Sequence, residues 1–339
     1  MSKEITIYDI AEKLNLSAST ISRALNDHPA IKDVTKKRIN DAAIEMGYRS
    51  NFFAKSLRSK STMTIGVMVP KLDSYFLSTV ISGMEKVANE AGYTILIAQS
   101  LESEEKEISN AKTMFNSRVD GLLVSATFGA KNINHFQLFL NKGIPTLFFD
   151  SILDFKNTPK IVIDNFLAGY DATQHLIEMG CKRVFHITGN LRRKVYYDRY
   201  QGYLEALKDN NLSFSEDMLF VTTLSLEASY EVSQQINELE RKPDGIFVSN
   251  DTCAASIMIS LKRMGFRFPE DISIIGFNND PITQIVEPRL STINYPGEEM
   301  GEIAAKNLIN HLSGNMDIQL TNTIVLRHEL LVRGSTKPV

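Results

Sequence analysis

Residues 6–26 read Thr-Ile-Tyr-Asp-Ile-Ala-Glu-Lys-Leu-Asn-Leu-Ser-Ala-Ser-Thr-Ile-Ser-Arg-Ala-Leu-Asn. Ile7, Ile10, Ala11 and Leu14 recur at the spacing of one helical face. Thr6 followed three residues later by Asp9 is a capping-box-like start. Asn15 and Leu16 break the pattern. Ser17 then offers a hydroxyl that can accept an orphan backbone N–H and cap a second helix. That helix is expected to bury Ile21, Ala24 and Leu25. Two short helices joined by a few residues form a helix-turn-helix, a motif that sets its second helix in the major groove of DNA. Ala18, Ser19, Thr20 and Arg23 would point outward, short or basic, so the backbone could approach base edges. A helical hairpin can also bind nothing, so the rest of the chain must weigh in.

The chain has 339 residues, enough for two or three domains with sizeable cores. Charge is unevenly spread. Residues 1–60 hold 11 Lys and Arg against 7 Asp and Glu, whereas the whole chain carries a net charge of −3. A basic small end on an acidic large end suits phosphate contact by the first part. No apolar run follows a basic N-terminal segment, and no stretch reads as a membrane span, so a cytoplasmic protein is expected. Cys181 and Cys253 are far apart and sit in no metal-ligand spacing. No Gly-x-Ser-x-Gly elbow, Walker loop or His-Glu-x-x-His helix is present. His175, His186, His311 and His328 are scattered. An enzyme, a metal site or a cofactor is therefore not expected.

A third helix is expected over Asp33–Met46, with Ile39, Ala42, Ala43 and Met46 inward and Gly47 ending it. Beyond residue 63, apolar runs alternate with amphipathic helical patterns. Expected strands are Thr64–Pro70, Thr94–Ser100, Gly121–Ala126, Pro145–Asp150, Arg183–Thr188, Gly245–Asn250 and Ile272–Phe277. Expected helices include Leu77–Ala91, Gly169–Met179, Tyr200–Asn210 and Ala254–Met264. This is α/β with doubly wound parallel sheets. The units are too many for one sheet, so two similar lobes with a cleft are the simplest arrangement.

Several stretches together resemble the lac repressor (LacI/GalR) family of bacterial transcription regulators: Thr-Ile-Tyr-Asp-Ile-Ala, Leu-Ser-Ala-Ser-Thr-Ile-Ser-Arg-Ala-Leu-Asn, Met-Gly-Tyr and Asn-Phe-Phe-Ala-Lys-Ser-Leu-Arg. The resemblance runs to about residue 335. It implies an all-α helix-turn-helix headpiece over residues 1–50 and a hinge helix and linker over 51–62. It also implies a core over 63–339, built like periplasmic sugar-binding proteins, with lobe crossovers near Asp164, Asn294 and Leu320. Ala18, Ser19 and Arg23 would contact bases. Thr6, Ser17, Thr20 and Asn26 would hold phosphates. Asn51, Ala54 and Leu57 would form the hinge in the minor groove, with Leu57 as a wedge between base pairs. Lys32 stands where the family has a capping Ser, and Ser50 where it has a Pro. No heptad tail follows Arg333, which implies a homodimer.

Ligands in open α/β sheets bind beyond the carboxyl ends of strands. Asp150, Asn250 and Asn278 end expected strands, and Arg199 is expected to open the helix carrying Gly202 and Tyr203. By resemblance these four are the leading effector contacts, with Phe76 and Ser125 behind them. Each has a structural alternative. Asp251 could cap the helix after Asn250, and Arg199 could join a lobe-closing ion pair. Asn278 and Asn279 replace the family's Asp pair, and Leu224 replaces an aromatic. The expected function is a sequence-specific regulator of a palindromic operator, controlled by a small ligand, most simply a carbohydrate. The alternatives are a purine or protein corepressor, or a sugar-binding protein without DNA affinity.

Overall fold

The computed structural model describes residues 5–48, 61–128, 132, 134–151, 158–320 and 323–336. The chain divides into two compact units, residues 1–62 and 63–339. The expected hinge residues Asn51, Ala54 and Leu57 lie outside the described residues.

The first unit holds α1 (Ile7–Leu14), α2 (Ala18–Leu25) and α3 (Asp33–Glu45). The Asp9 carboxylate accepts from the Thr6 amide at 2.7 Å and the Thr6 hydroxyl at 2.5 Å, which fixes the start of α1. Asn15 adopts φ 52°, the left-handed conformation that asparagine tolerates, and turns the chain toward α2. Ser17 Oγ accepts the Thr20 amide at 3.2 Å. Lys32 precedes α3 without a side-chain cap. Met46 is the C-cap of α3 rather than its last residue, and Gly47 follows at φ 67°. Ile10, Ala11, Ile21, Ala24, Ile39 and Ala43 form the core. Each fully buried isoleucine there contributes about 1.5–3 kcal/mol.

The second unit contains two six-stranded sheets. The first uses β1 (Thr64–Val69), β2 (Thr94–Gln99), β3 (Gly121–Val124), β4 (Thr146–Phe149), β5 (Lys160–Ile163) and β11 (Thr323–Leu326). The second uses β6 (Val184–Thr188), β7 (Leu219–Val221), β8 (Gly245–Val248), β9 (Ser273–Asn278), β10 (Ser291–Asn294) and β12 (Glu329–Leu331). Their spatial orders are β2-β1-β3-β4-β5-β11 and β7-β6-β8-β9-β10-β12, the same winding twice. Central strands such as β3 and β8 are buried along their whole length, as strands covered on both faces must be. One expectation of all-parallel sheets is corrected: β12 runs antiparallel to β10. It follows β11 after a two-residue link and enters the sheet from the opposite end.

The helices of this unit are α4 (Tyr75–Glu90), α5 (Glu104–Asn116), α6 (Gln137–Asn141), α7 (Asn165–Glu178), α8 (Lys194–Asp209), α9 (Leu226–Glu238), α10 (Asp251–Arg263), α11 (Ile282–Ile285) and α12 (Gly297–Leu312). The chain leaves the first sheet after β5, at Asp164, and returns after β10, beyond Asn294. The third crossover falls at residues 327–328 rather than near Leu320, because β11 still belongs to the first sheet. Each lobe carries one tightly crossed helix pair. A Cβ on Gly301 of α12 would lie 1.9 Å from Val80 O of α4, and one on Gly202 of α8 would lie 2.0 Å from Phe166 O of α7. Only glycine permits such approaches.

Candidate functional site

In the first unit, α2 presents Ser19 and Arg23 to solvent one turn apart. Ala18 is half-buried and packs on the headpiece core, so less of it faces outward than expected. The hydroxyl of Ser17 lies 2.9 Å from that of Ser19 and 2.8 Å from that of Thr20, so three short side chains are ordered at the start of α2. Asn26 donates its amide to Ser22 O at 2.7 Å, and Thr6 is tied to Asp9. These four phosphate-holding candidates sit around both ends of α2 and the start of α1 with preset rotamers.

In the second unit the loops after β3, β4, β6, β8 and β9 gather at the carboxyl ends of both sheets. Asp150 follows β4 at φ 54° and is 4% exposed. Its Oδ2 accepts from Ser125 Oγ at 3.2 Å and from Arg193 Nη2 at 3.2 Å. Its Oδ1 accepts from the Tyr295 hydroxyl at 3.0 Å. Burial, and then the Asp150 carboxylate, push the Tyr295 phenol well above its ordinary value, so it stays a donor. The Tyr295 ring stacks on Phe76 with centroids 4.0 Å apart. Arg193 also donates from Nη1 to Glu102 Oε1 at 3.0 Å.

Arg199 is placed differently from the expectation. It lies in the second turn of α8, which starts at Lys194, and it is 3% exposed. Its Nε donates to Asn165 Oδ1 at 2.9 Å and its Nη1 to Ser249 O at 3.2 Å. Its guanidinium lies 3.5 Å from the centroid of the Phe277 ring, a cation–π contact. The lobe-spanning ion pair foreseen for Arg199 is made by Arg193. Asn250 also has a structural role: its backbone is extended at φ −157°, and its Oδ1 accepts the Cys253 amide at 2.9 Å as the N-cap of α10. Asp251, the alternative considered for that cap, is the first helical residue and wholly buried. It accepts from Thr292 Oγ1 at 2.7 Å and from the Asp280 amide at 2.8 Å.

A cavity of about 390 Å³ opens between α4 of the first lobe, the end of β9 and the start of α12. Phe76, Tyr75, Asn278, Asn294, Tyr295 and Glu298 are among its walls. Asn278 reaches it at φ 113° and Asn279 follows at φ 59°. Asn279 is anchored by Arg333 Nη2 on its Oδ1 at 2.8 Å and by its own amide on Asn294 Oδ1 at 3.1 Å. Of the six expected effector residues, Phe76 and Asn278 line this cavity. Ser125 and Asp150 join it through Tyr295, and Arg199 lies 5.9 Å from the Tyr295 ring. Leu224 is half-buried against the core of the second lobe.

Residues 6–51 match the bacterial regulatory proteins of the lacI family, and residues 173–336 match a periplasmic binding protein-like domain. The NTD biosynthesis operon regulator NtdR of Bacillus subtilis (strain 168) is 31% identical over 331 residues, which cover 98% of this chain and 99% of that protein. The chain belongs to the lacI family of bacterial regulatory proteins. Two solved structures share its fold. The lac repressor dimer bound to operator and the anti-inducer ONPF gives a TM-score of 0.86 at 21% identity, over 98% of this chain and 99% of that one. The transcriptional regulator CelR–cellobiose complex gives 0.73 at 23% identity, over 98% of this chain and 100% of that one.

As a lacI-family member the chain is a sequence-specific DNA-binding transcription regulator with a ligand-binding core, and it is not an enzyme. No helix among the described residues is long and apolar enough to cross a membrane. Within this family frame, sequence reasoning missed Arg193, Glu102 and Tyr295. Arg193 could have been found, because it follows the strand ending at Thr188 and strand ends were the search rule. Glu102 could have been found by the same rule, two residues beyond the strand expected to end at Ser100, whereas Tyr295 followed no expected strand.

Proposed function

We propose that the chain is a dimeric repressor whose hold on a palindromic operator is set by a carbohydrate or sugar derivative in the inter-lobe cleft. In this reading residues 1–50 are the headpiece, 51–62 the hinge and 63–339 the effector and dimerisation core, working in the cytoplasm. The observation that carries the ligand class is Asp150 beside the Phe76–Tyr295 stack. A buried carboxylate next to an aromatic wall suits a compound with hydroxyls on its edge and C–H groups on its face. The cellobiose in the CelR structure supports the same class. Arg23 would pair with guanine O6 and N7, Ser19 with a base edge and Ala18 with a thymine methyl. Thr6, Ser17, Thr20 and Asn26 would fix register on phosphates.

Dimerisation is supported by the sheet edges. The edge strand β2 leaves Leu96 36% and Ile97 39% exposed, and the edge strand β7 leaves Val221 50% exposed. Exposed apolar edges in equivalent places on both sheets favour cover by a second copy. The test is fluorescence anisotropy on a duplex selected from a random pool, at several salt concentrations and with a panel of sugars. Tight, salt-sensitive binding to a palindrome that one sugar weakens is the expected result. A ligand that strengthens binding would make it a corepressor, and no sequence preference under any condition would overturn the headpiece assignment. Replacing Leu57 by Ala should weaken operator binding and leave ligand affinity nearly intact.

A further inference from the structure

The cleft holds a side chain where a ligand is expected. Arg193 belongs to the second lobe, yet both carboxylates it meets belong to the first: Glu102 Oε1 at 3.0 Å and Asp150 Oδ2 at 3.2 Å. The three side chains are only 14%, 16% and 5% exposed. We propose that Arg193, Glu102 and Asp150 form a latch that holds the two lobes together without effector, and that an effector acts by displacing it.

Three features carry this. A planar guanidinium grips two separate carboxylates at once, so lobe separation breaks both pairs together. The charges are largely shielded from water, so salt and solvent weaken the grip less than they would at the surface. Finally, Asp150 is 4% exposed and already accepts three hydrogen bonds: Tyr295 donates to Oδ1, while Ser125 and Arg193 share Oδ2. A ligand hydroxyl gains full access to that buried carboxylate when the Arg193 side chain moves aside. The latch is also imperfect, since Arg193 Nε is buried without a partner among the described residues. An incoming acceptor could satisfy it, which gives an effector a way to compete.

The latch needs only the two-lobed fold; its control of DNA rests on the regulator reading above, and two readouts separate them. The chain has no tryptophan, so Tyr75→Trp places a single emitter at the cavity mouth, opposite Asn278 of the other lobe. In the full chain without effector, adding Arg193→Ala or Glu102→Gln should shift emission to the red and raise acrylamide quenching. Arg193→Lys, which keeps the charge and loses the fork, should fall between. Glu102→Gln keeps Arg193 on Asp150, so it still reports if Arg193→Ala does not fold. Identical emission and quenching in the parent and both latch variants would overturn the latch. Operator affinity of the latch variants should change by about 5- to 150-fold, the range of allosteric coupling. An emission change with unaltered operator affinity would keep the latch and overturn its control of DNA binding.

Discussion

Replacing Asp280 by Asn should stabilise the protein in a pH-dependent way. Asp251 and Asp280 are 0% and 5% exposed, and Asp280 Oδ1 is buried without a hydrogen-bond partner among the described residues. The neighbouring guanidinium of Arg333 donates to Asn279 Oδ1 and Leu290 O. Burial, reinforced by Asp280, pushes the Asp251 carboxyl up to about 7, and burial pushes Asp280 up to about 6. A carboxyl raised in the fold binds its proton more tightly there than in the unfolded chain. Stability is therefore unaffected below about pH 4 and is lost progressively as pH climbs through 6 to 7. Carrying Asp280 from 3.8 to about 6 costs the fold about 3 kcal/mol once it is ionised. Asp280→Asn removes that cost and the repulsion on Asp251. Urea unfolding followed by circular dichroism should show the variant about 2–3 kcal/mol more stable than the parent at pH 8, with the gain nearly gone at pH 4. An equal gain at both pH values, or a loss at pH 8, would refute the reasoning.

Other outcomes follow from the same geometry. Gly202→Ala puts a Cβ 2.0 Å from Phe166 O, and overpacking of about 1–3 kcal/mol exceeds the roughly 1 kcal/mol helix gain; thermal denaturation should show a lower Tm. Ser17→Ala removes the acceptor for the Thr20 amide and should cost the headpiece about 0.5–2 kcal/mol, read from chemical denaturation of the full chain. Arg23→Ala should cost about 1–3 kcal/mol of operator binding and relax preference at one base pair, measured by anisotropy on single-base variants of the duplex.

The headpiece was legible because its causes are local. Thr6 with Asp9, Asn15 and Ser17 settle two helices and their turn within a dozen residues, and the structure shifts only Met46 to the C-cap and leaves Ala18 and Leu25 half-buried. Most strands that read clearly are the buried central ones, joined by the edge strand β2, while the four-residue strands β5, β10 and β11 were not read. β7 and β12 have three residues each and lie at sheet edges, too short to show a period. The cleft was half legible. Asp150 and Asn278 were reachable from the rule that ligands gather at strand ends. Asn250 followed the same rule, but strand ends are also helix starts, and there capping claims its oxygen. Arg193 meets Asp150 across 43 residues and Glu102 across 91. Such a meeting depends on how one lobe is set on the other, which no local pattern encodes.

The three crossovers carry a consequence for biosynthesis. The first sheet takes its last strand, β11, and its α12 cover from beyond residue 296. The second sheet takes from that region only β12 and the short segment at residues 333–336 that bonds Ile274 and Ser291. On the ribosome, where chains fold from the N-terminus as they emerge, the lobe that begins first is therefore finished late. Until residues 297–326 are out, the face of α4 around Gly83 and the free edge of β5 have nothing to pair with. A nascent chain stalled between residues 294 and 320 should be the species most in need of a chaperone, and a truncation there should cripple the lobe encoded furthest from the cut.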